Sequence, residues 1–126
     1  MLDDKKTDAL RQELGLDAFA HLAETFFSDF KKRLSSLERH VRRENREALE
    51  FDAYTAFGSA ANIGLSALAH EAGVVVQHSR HGEWGDIKAS LSRMRHAALA
   101  SVDSVNAVTG RDLPSGSYPP FTWEVE

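Results

Sequence analysis

The chain has 126 residues, a length that suits one domain able to bury a core without staples. Hydrophobic residues make up 42% and charged residues 27%, and cysteine is absent, which excludes disulfides and thiolate metal sites. The net charge of −4 argues against a general nucleic-acid binder, and no apolar run reaches the length of a membrane span. The start, "MLDDKKTDAL", is charged where a signal peptide is apolar. A cytoplasmic, soluble protein with neither metal nor cofactor is the expectation.

Proline is absent until Pro114, and no period-two alternation suggests strands. The spacing predicts an all-α protein. A short helix is expected over 7–14, with Thr7 as cap and Gly15 as stop. Asp17 then caps a long helix over 18–43. Its stripe is Phe19, Leu22, Phe26, Phe30, Leu34, Leu37 and Val41, with Phe27 beside it and partly exposed. Asp29 with Arg33, and Glu38 with Arg42, are acid-before-base pairs at helical spacing.

"RREN" marks a turn, and a second long helix is expected over 46–79. Its first half has a core stripe at Leu49, Ala53, Ala56, Ala60 and Ile63. Beyond Leu65 the apolar residues Leu68, Ala72, Val74, Val75 and Val76 surround the helix. "SRHGEWG" reads as a turn, after which Asp86 caps a third long helix over 87–108, ended by Gly110. The stripe there is Ile87, Leu91, Met94, Ala98, Val102 and Val105. The remaining "RDLPSGSYPPFTWEVE" cannot be a regular helix. The expected organisation is an antiparallel up-and-down four-helix bundle over 1–110, followed by a Pro- and aromatic-rich tail over 111–126. One side of the bundle would be short or partly filled by that tail, since its aromatics gain by leaving water.

The stretch "AYTAFGSAANIG" keeps a helix surface low and then sets two aromatic rings on it. At 100° per residue from Tyr54, Phe57 falls at about 300°, Gly58 at about 40°, Ala61 at about 340° and Leu65 at about 20°. These residues share a face opposite the alanine stripe, and Asn62 borders it. Glycine inside a helix costs about 1 kcal/mol relative to alanine, which is easiest to explain where another surface approaches closely. Packing of both faces inside the same molecule is the alternative.

The string "AYTAFGSAANIGLSALAHEAGVV" resembles the signature helix of histidine-phosphotransfer (HPt) domains. That family's pattern runs Ala-His-x-Leu-Lys-Gly-Ser-Ala, with a second Gly six residues after the first and then Leu and Ala at helical steps. Ala53, Gly58, Ser59, Ala60, Ile63, Gly64, Leu68 and Ala72 match it. The resemblance covers roughly residues 10–108 and implies an HPt-type bundle. It departs where the chemistry lies. Tyr54 stands at the position of the phosphorylated histidine and Phe57 at that of the assisting lysine. Ala56 replaces the leucine, and Val76 or Gln77 the acidic residue. A phenol, with a pKa of about 10, is a poor substitute for imidazole, and a phosphotyrosine ester would be a dead end. Loss of the lysine removes the charge that offsets phosphate oxygens.

The resemblance therefore implies a monomeric, non-enzymatic adaptor. It would bind the receiver domain of a response regulator, or a histidine kinase, through Tyr54, Phe57, Gly58, Ala61, Asn62 and Leu65. Most charges of "KKRLSSLERHVRR" read as the wet face of the first long helix, and Lys31, Lys32 or Arg39 are candidates to steer the acidic pocket of a receiver, their position relative to Tyr54 being left open by the sequence. Three rivals stand beside it. One is phosphotransfer through another of the six histidines (His21, His40, His70, His78, His81, His96), with His70 in "AHEAG" the nearest echo of the motif. The second is a metal or catalytic site at His70, Glu71, His78 and His81, for which a solvated turn is the simpler reading. The third is a helical interaction module outside two-component signalling, with "SYPPFTW" as a peptide ligand.

Overall fold

The computed structural model describes residues 5, 8, 9, 12, 15–114 and 118–125; the short helix expected over 7–14 falls mostly outside them. Four long helices follow one another: α1 (Leu16–Arg42), α2 (Arg46–Asn62), α3 (Ser66–His81) and α4 (Trp84–Thr109), with a 3-10 turn at Thr122–Glu124. Each helix packs on the next, and α4 packs back on α1, so the four enclose one core. No strand occurs among the described residues, and no helix there is long and apolar enough to cross a membrane.

The bundle is reached by a different route from the expected one. The segment expected as a single helix over 46–79 is two helices. Gly64 sits at φ 81°, the left-handed region that favours glycine. The Leu65 N–H donates to the Ala60 carbonyl at 3.0 Å and the Gly64 N–H to that of Ala61 at 3.2 Å. These two bonds satisfy carbonyls that a helix end would otherwise leave open, and they reverse the chain. Antiparallel contacts follow. Arg46 Nη1 donates to the Ser79 carbonyl at 3.2 Å, Arg80 Nε donates to the Glu50 carboxylate, and the Phe57 ring lies over Gly73.

The turn at "RREN" uses the same device without glycine. Asn45 N–H donates to the His40 carbonyl and Glu44 N–H to that of Val41, with Glu44 at φ 51°. Asn45 then caps α2 by accepting from the Ala48 N–H at 3.1 Å. The other helix ends also move. Gly15, at φ 81°, precedes α1, and Asp17 lies in its first turn, paired with Arg111. Only Gly82 and Glu83 separate α3 from α4, so His78, Arg80 and His81 are helical and Asp86 lies within the first turn of α4. A Cβ on Gly82 would come within 2.8 Å of the His78 carbonyl oxygen, which accounts for glycine at this tight corner. Gly110 closes α4 at φ 70°, as its position predicts.

In α1 the core row is Phe19, Ala23, Phe27, Phe30, Leu34, Leu37 and Val41. Phe27 is buried and Phe26 half-buried, the reverse of the expected order, while Leu22 is exposed. Ala23 and Phe27 continue the 3–4 spacing of Phe30, Leu34 and Leu37 more closely than Leu22 and Phe26 do, and the second ring packs at the edge, stacked on Phe30. The stripes read for the other helices, Leu49 to Ile63 and Ile87 to Val105, are all buried. Both expected pairs within α1 give way to tertiary partners: Arg33 binds Asp52, and Glu38 accepts from the Thr122 N–H.

The C-terminal segment is docked along α1 and α4. Asn106 first holds Leu113 through both of its backbone groups. The Tyr118 hydroxyl donates to the Phe27 carbonyl at 3.0 Å, its ring meets Phe30 edge-on, and burial pushes its phenol above the ordinary range. Phe121 is buried, stacked on Trp123 at 4.5 Å, and the Trp123 indole donates to Ser92. Arg95, only 8% exposed, clamps the Glu124 carboxylate through Nε at 2.8 Å and Nη2 at 3.0 Å, and donates from Nη1 to the Tyr118 carbonyl. A bidentate pair of this kind fixes orientation as well as charge.

Burial raises the Glu124 pKa, but the Arg95 hydrogen bond, the Phe121 N–H and the charges of Arg95 and His96 outweigh it and hold the carboxyl below its ordinary value. A depressed folded-state pKa gives stability that is full above the unfolded value and is lost as pH falls through the lowered one. Trp123 fluorescence, isolated by Trp84→Phe, is expected to report loosening of the tail below about pH 4.5. Glu124→Gln is expected to cost on the order of 2 kcal/mol in urea unfolding and to flatten that acid limb. Gly64→Ala is expected to lower stability by about 1–2 kcal/mol, since alanine must enter the left-handed region; an unchanged denaturation midpoint would contradict the turn described.

Candidate docking face on the second helix

The sequence of α2, "REALEFDAYTAFGSAAN", contains neither histidine nor lysine. Its alanine-rich face (Ala53, Ala56, Ala60, with Leu49) turns into the core, which brings the helix close to its neighbours and leaves the opposite face outward. Tyr54 is 60% exposed and Phe57 37%, their ring centroids 6.1 Å apart. Ala61 and Asn62 are exposed and Gly58 is half-buried. Leu65 corrects the expectation: it is fully buried. The reversal at Gly64 resets the helical phase, so a residue at about 20° on an unbroken wheel points to the core instead.

Two further residues belong to this face. Phe51 is the most exposed large apolar residue of the helix, at 75%. It lies three positions before Tyr54, at about 60° on the same wheel, and extending that wheel backwards finds it. Gly73, on α3, was not singled out; a Cβ there would sit 3.6 Å from Phe57 Cδ1, so its small size lets the ring lie down against α3. A Cβ on Gly58 would meet nothing within 4 Å. Nothing from the other helices stands where that Cβ would be, so a close contact with them does not account for the glycine.

The edge of the face toward α1 is polar. Asp52, whose side chain is 15% exposed, accepts from Arg33 Nη1 through Oδ1 and meets His40 Nε2 at 3.0 Å through Oδ2. Both carboxylate oxygens are thus engaged. Among the described residues the Tyr54 hydroxyl has no hydrogen-bond partner, and no general base adjoins it. The rings of Phe51, Tyr54 and Phe57 offer exposed apolar area on this face.

The remaining histidines are dispersed. His21, His70 and His81 are exposed, and His96 stands 3.6 Å from Glu124. His78 is half-buried, with Nδ1 lacking a partner. Among the described residues no three His, Asp or Glu side chains are gathered as metal ligands. Phe121 and Trp123, considered as part of a peptide for another partner, are engaged with this chain's own α4.

No family model matches the sequence, and neither the curated proteins nor the solved structures contain a match to it.

Proposed function

We propose that this chain is a non-catalytic docking module of HPt type, which binds a receiver domain or a histidine kinase through the outward face of α2 and acts by occupancy rather than phosphotransfer. The observation that carries this reading is the row of rings Phe51, Tyr54 and Phe57 standing on a helix with open space above Gly58. Exposed aromatics grouped on one face are unusual for a surface without a partner and are favoured anchors in interfaces. The resemblance of "AYTAFGSAANIG" to the HPt signature supplies the partner class, and the substitution of Tyr54 and Phe57 for its reactive histidine and lysine supplies the loss of chemistry.

The alternatives have less behind them. His70 is exposed on α3, and among the described residues no charged or polar group orients its ring, so phosphotransfer there lacks an assisting residue. A helical module outside two-component signalling would use the same face and differ only in its partner.

Calorimetric titration of the chain against purified receiver domains and kinase phosphoacceptor domains tests the proposal. Saturable binding is expected, weakened at least tenfold, or about 1.4 kcal/mol, by Tyr54→Ala together with Phe57→Ala. If every domain binds equally well to that variant, the face is wrong. Gly58 gives an independent check. Gly58→Ala is expected to stabilise the fold by about 1 kcal/mol because the added methyl meets no neighbour. Gly58→Leu is expected to leave the fold intact and to weaken the complex by obstructing approach.

A further inference from the structure

Seven of the fifteen Lys and Arg residues fall between positions 31 and 46, accompanied by only two Glu, in a chain whose net charge is −4. Two of the seven are committed internally: Arg33 to Asp52, and Arg46 to Ser79 and the face of Trp84, 4.7 Å from its centroid. Lys31 turns elsewhere, lining a cleft with Leu113 and Pro114. Lys32, Arg39 and Arg43 are different. All three are exposed, Lys32 and Arg39 on one side of α1 and Arg43 at its C-cap within about 40° of them, and none pairs with an acid among the described residues, while Arg42 lies about 80° away round the helix.

This ridge is continuous with the aromatic crest of α2. Asp29, Lys32, Arg33, Ser36 and Asp52 line one shallow groove between the helices, while Ser36, Asp52 and Phe51 help line the next. Arg39 Nη2 donates to Ser36 Oγ at 3.0 Å, which places its guanidinium at the groove's edge. Across the surface, three cations therefore give way to a bound Asp52 and then to Phe51, Tyr54 and Phe57.

Resting on the reading of α2 as a docking face, we propose that the α1 ridge and the α2 crest form one surface for a protein whose contact face is apolar and bordered by carboxylates on the side that meets Lys32, Arg39 and Arg43. The rings supply buried area, and the cations set the orientation and hasten encounter. A nucleic acid fits less well, because a continuous run of phosphates laid on the cations would also cross Asp29, Asp52 and Glu47, whereas carboxylates confined to one border of a protein partner need not. A second copy fits less well too, since an isologous pairing sets one cation-bordered surface against another.

The test uses the intact chain with 15N labelling and three probes: an amphipathic Glu/Leu peptide, its Lys/Leu counterpart and a twelve-residue oligothymidylate. The Glu/Leu peptide is expected to bind saturably, with shifts centred on the amides of Ser36, Phe51 and Tyr54. Lys32→Glu with Arg39→Glu, or Tyr54→Ala alone, should each weaken it at least tenfold, and the charge reversals should remove its salt dependence. Equal binding of the Lys/Leu peptide, tighter binding of the oligothymidylate at this face, shifts centred elsewhere, or dimerisation through this face in sedimentation would each overturn the proposal. The same charge-reversed variant, titrated with receiver domains, separates the two readings. Receivers that bind it as tightly as the parent sink the charged border and leave the docking role. A mapped acidic peptide with no receiver binding sinks the partner class and leaves the surface.

Discussion

Much of the molecule follows from one backbone conformation. With Gly64 in the left-handed region, the chain reverses after Asn62 instead of continuing as helix. The reversal lays α3 antiparallel to α2, brings Gly73 under Phe57, and turns Leu65 inward. An unbroken helix over the same residues would be about 50 Å long, about 10 Å longer than α1 or α4, and its end would overhang the bundle. The short residues of α2 belong to the same solution. Ala53, Ala56 and Ala60 let it approach the core closely, so the larger side chains of that helix that are not core occupy its outer face.

The two polar tethers of the bundle act at different places and hold different things. Asp52 ties α2 to α1 through Arg33 and His40, fixing the relation between the crest and the ridge of α1. Arg95 ties the C-terminal segment to α4 through Glu124 and the Tyr118 carbonyl. Arg95 is nearly buried, so losing its partner would strand a charge, and the cost of that loss exceeds what the pair gains over a hydrophobic equivalent. The pair therefore specifies where the tail lies. The rings of Tyr118, Phe121 and Trp123 supply the burial that makes docking favourable.

The proposed docking role draws on the outward face of α2. Its rings are held on a rigid helix, so little conformational freedom is lost when a partner covers them. The carboxylate at its edge already has both oxygens engaged, and Tyr54 has no base beside it. On the proposed reading the face would act by occupancy, and the neighbouring cations would give an acidic partner a direction along which to align.

The sequence by itself determined the helical class, the core stripes of Leu49–Ile63 and Ile87–Val105, and the grouping of Tyr54, Phe57 and Ala61 on one face with Asn62 at its border, because helical periodicity is a local property that each segment carries alone, while the exposure of that face was decided by how the helices pack. Phe51 was legible on the same wheel. The exchange of Phe26 for Phe27 was less so, since adjacent rings differ by only about 100° and the neighbouring helices decide between them. Only the tertiary structure decided the break at Gly64, the burial of Leu65, the seating of Phe57 on Gly73, and the diversion of Arg33 and Glu38 from their helical partners to Asp52 and Thr122. A glycine is compatible with both a helix interior and a left-handed turn. The choice between them is made by the whole core, whose burial outweighs the local preference of any single residue.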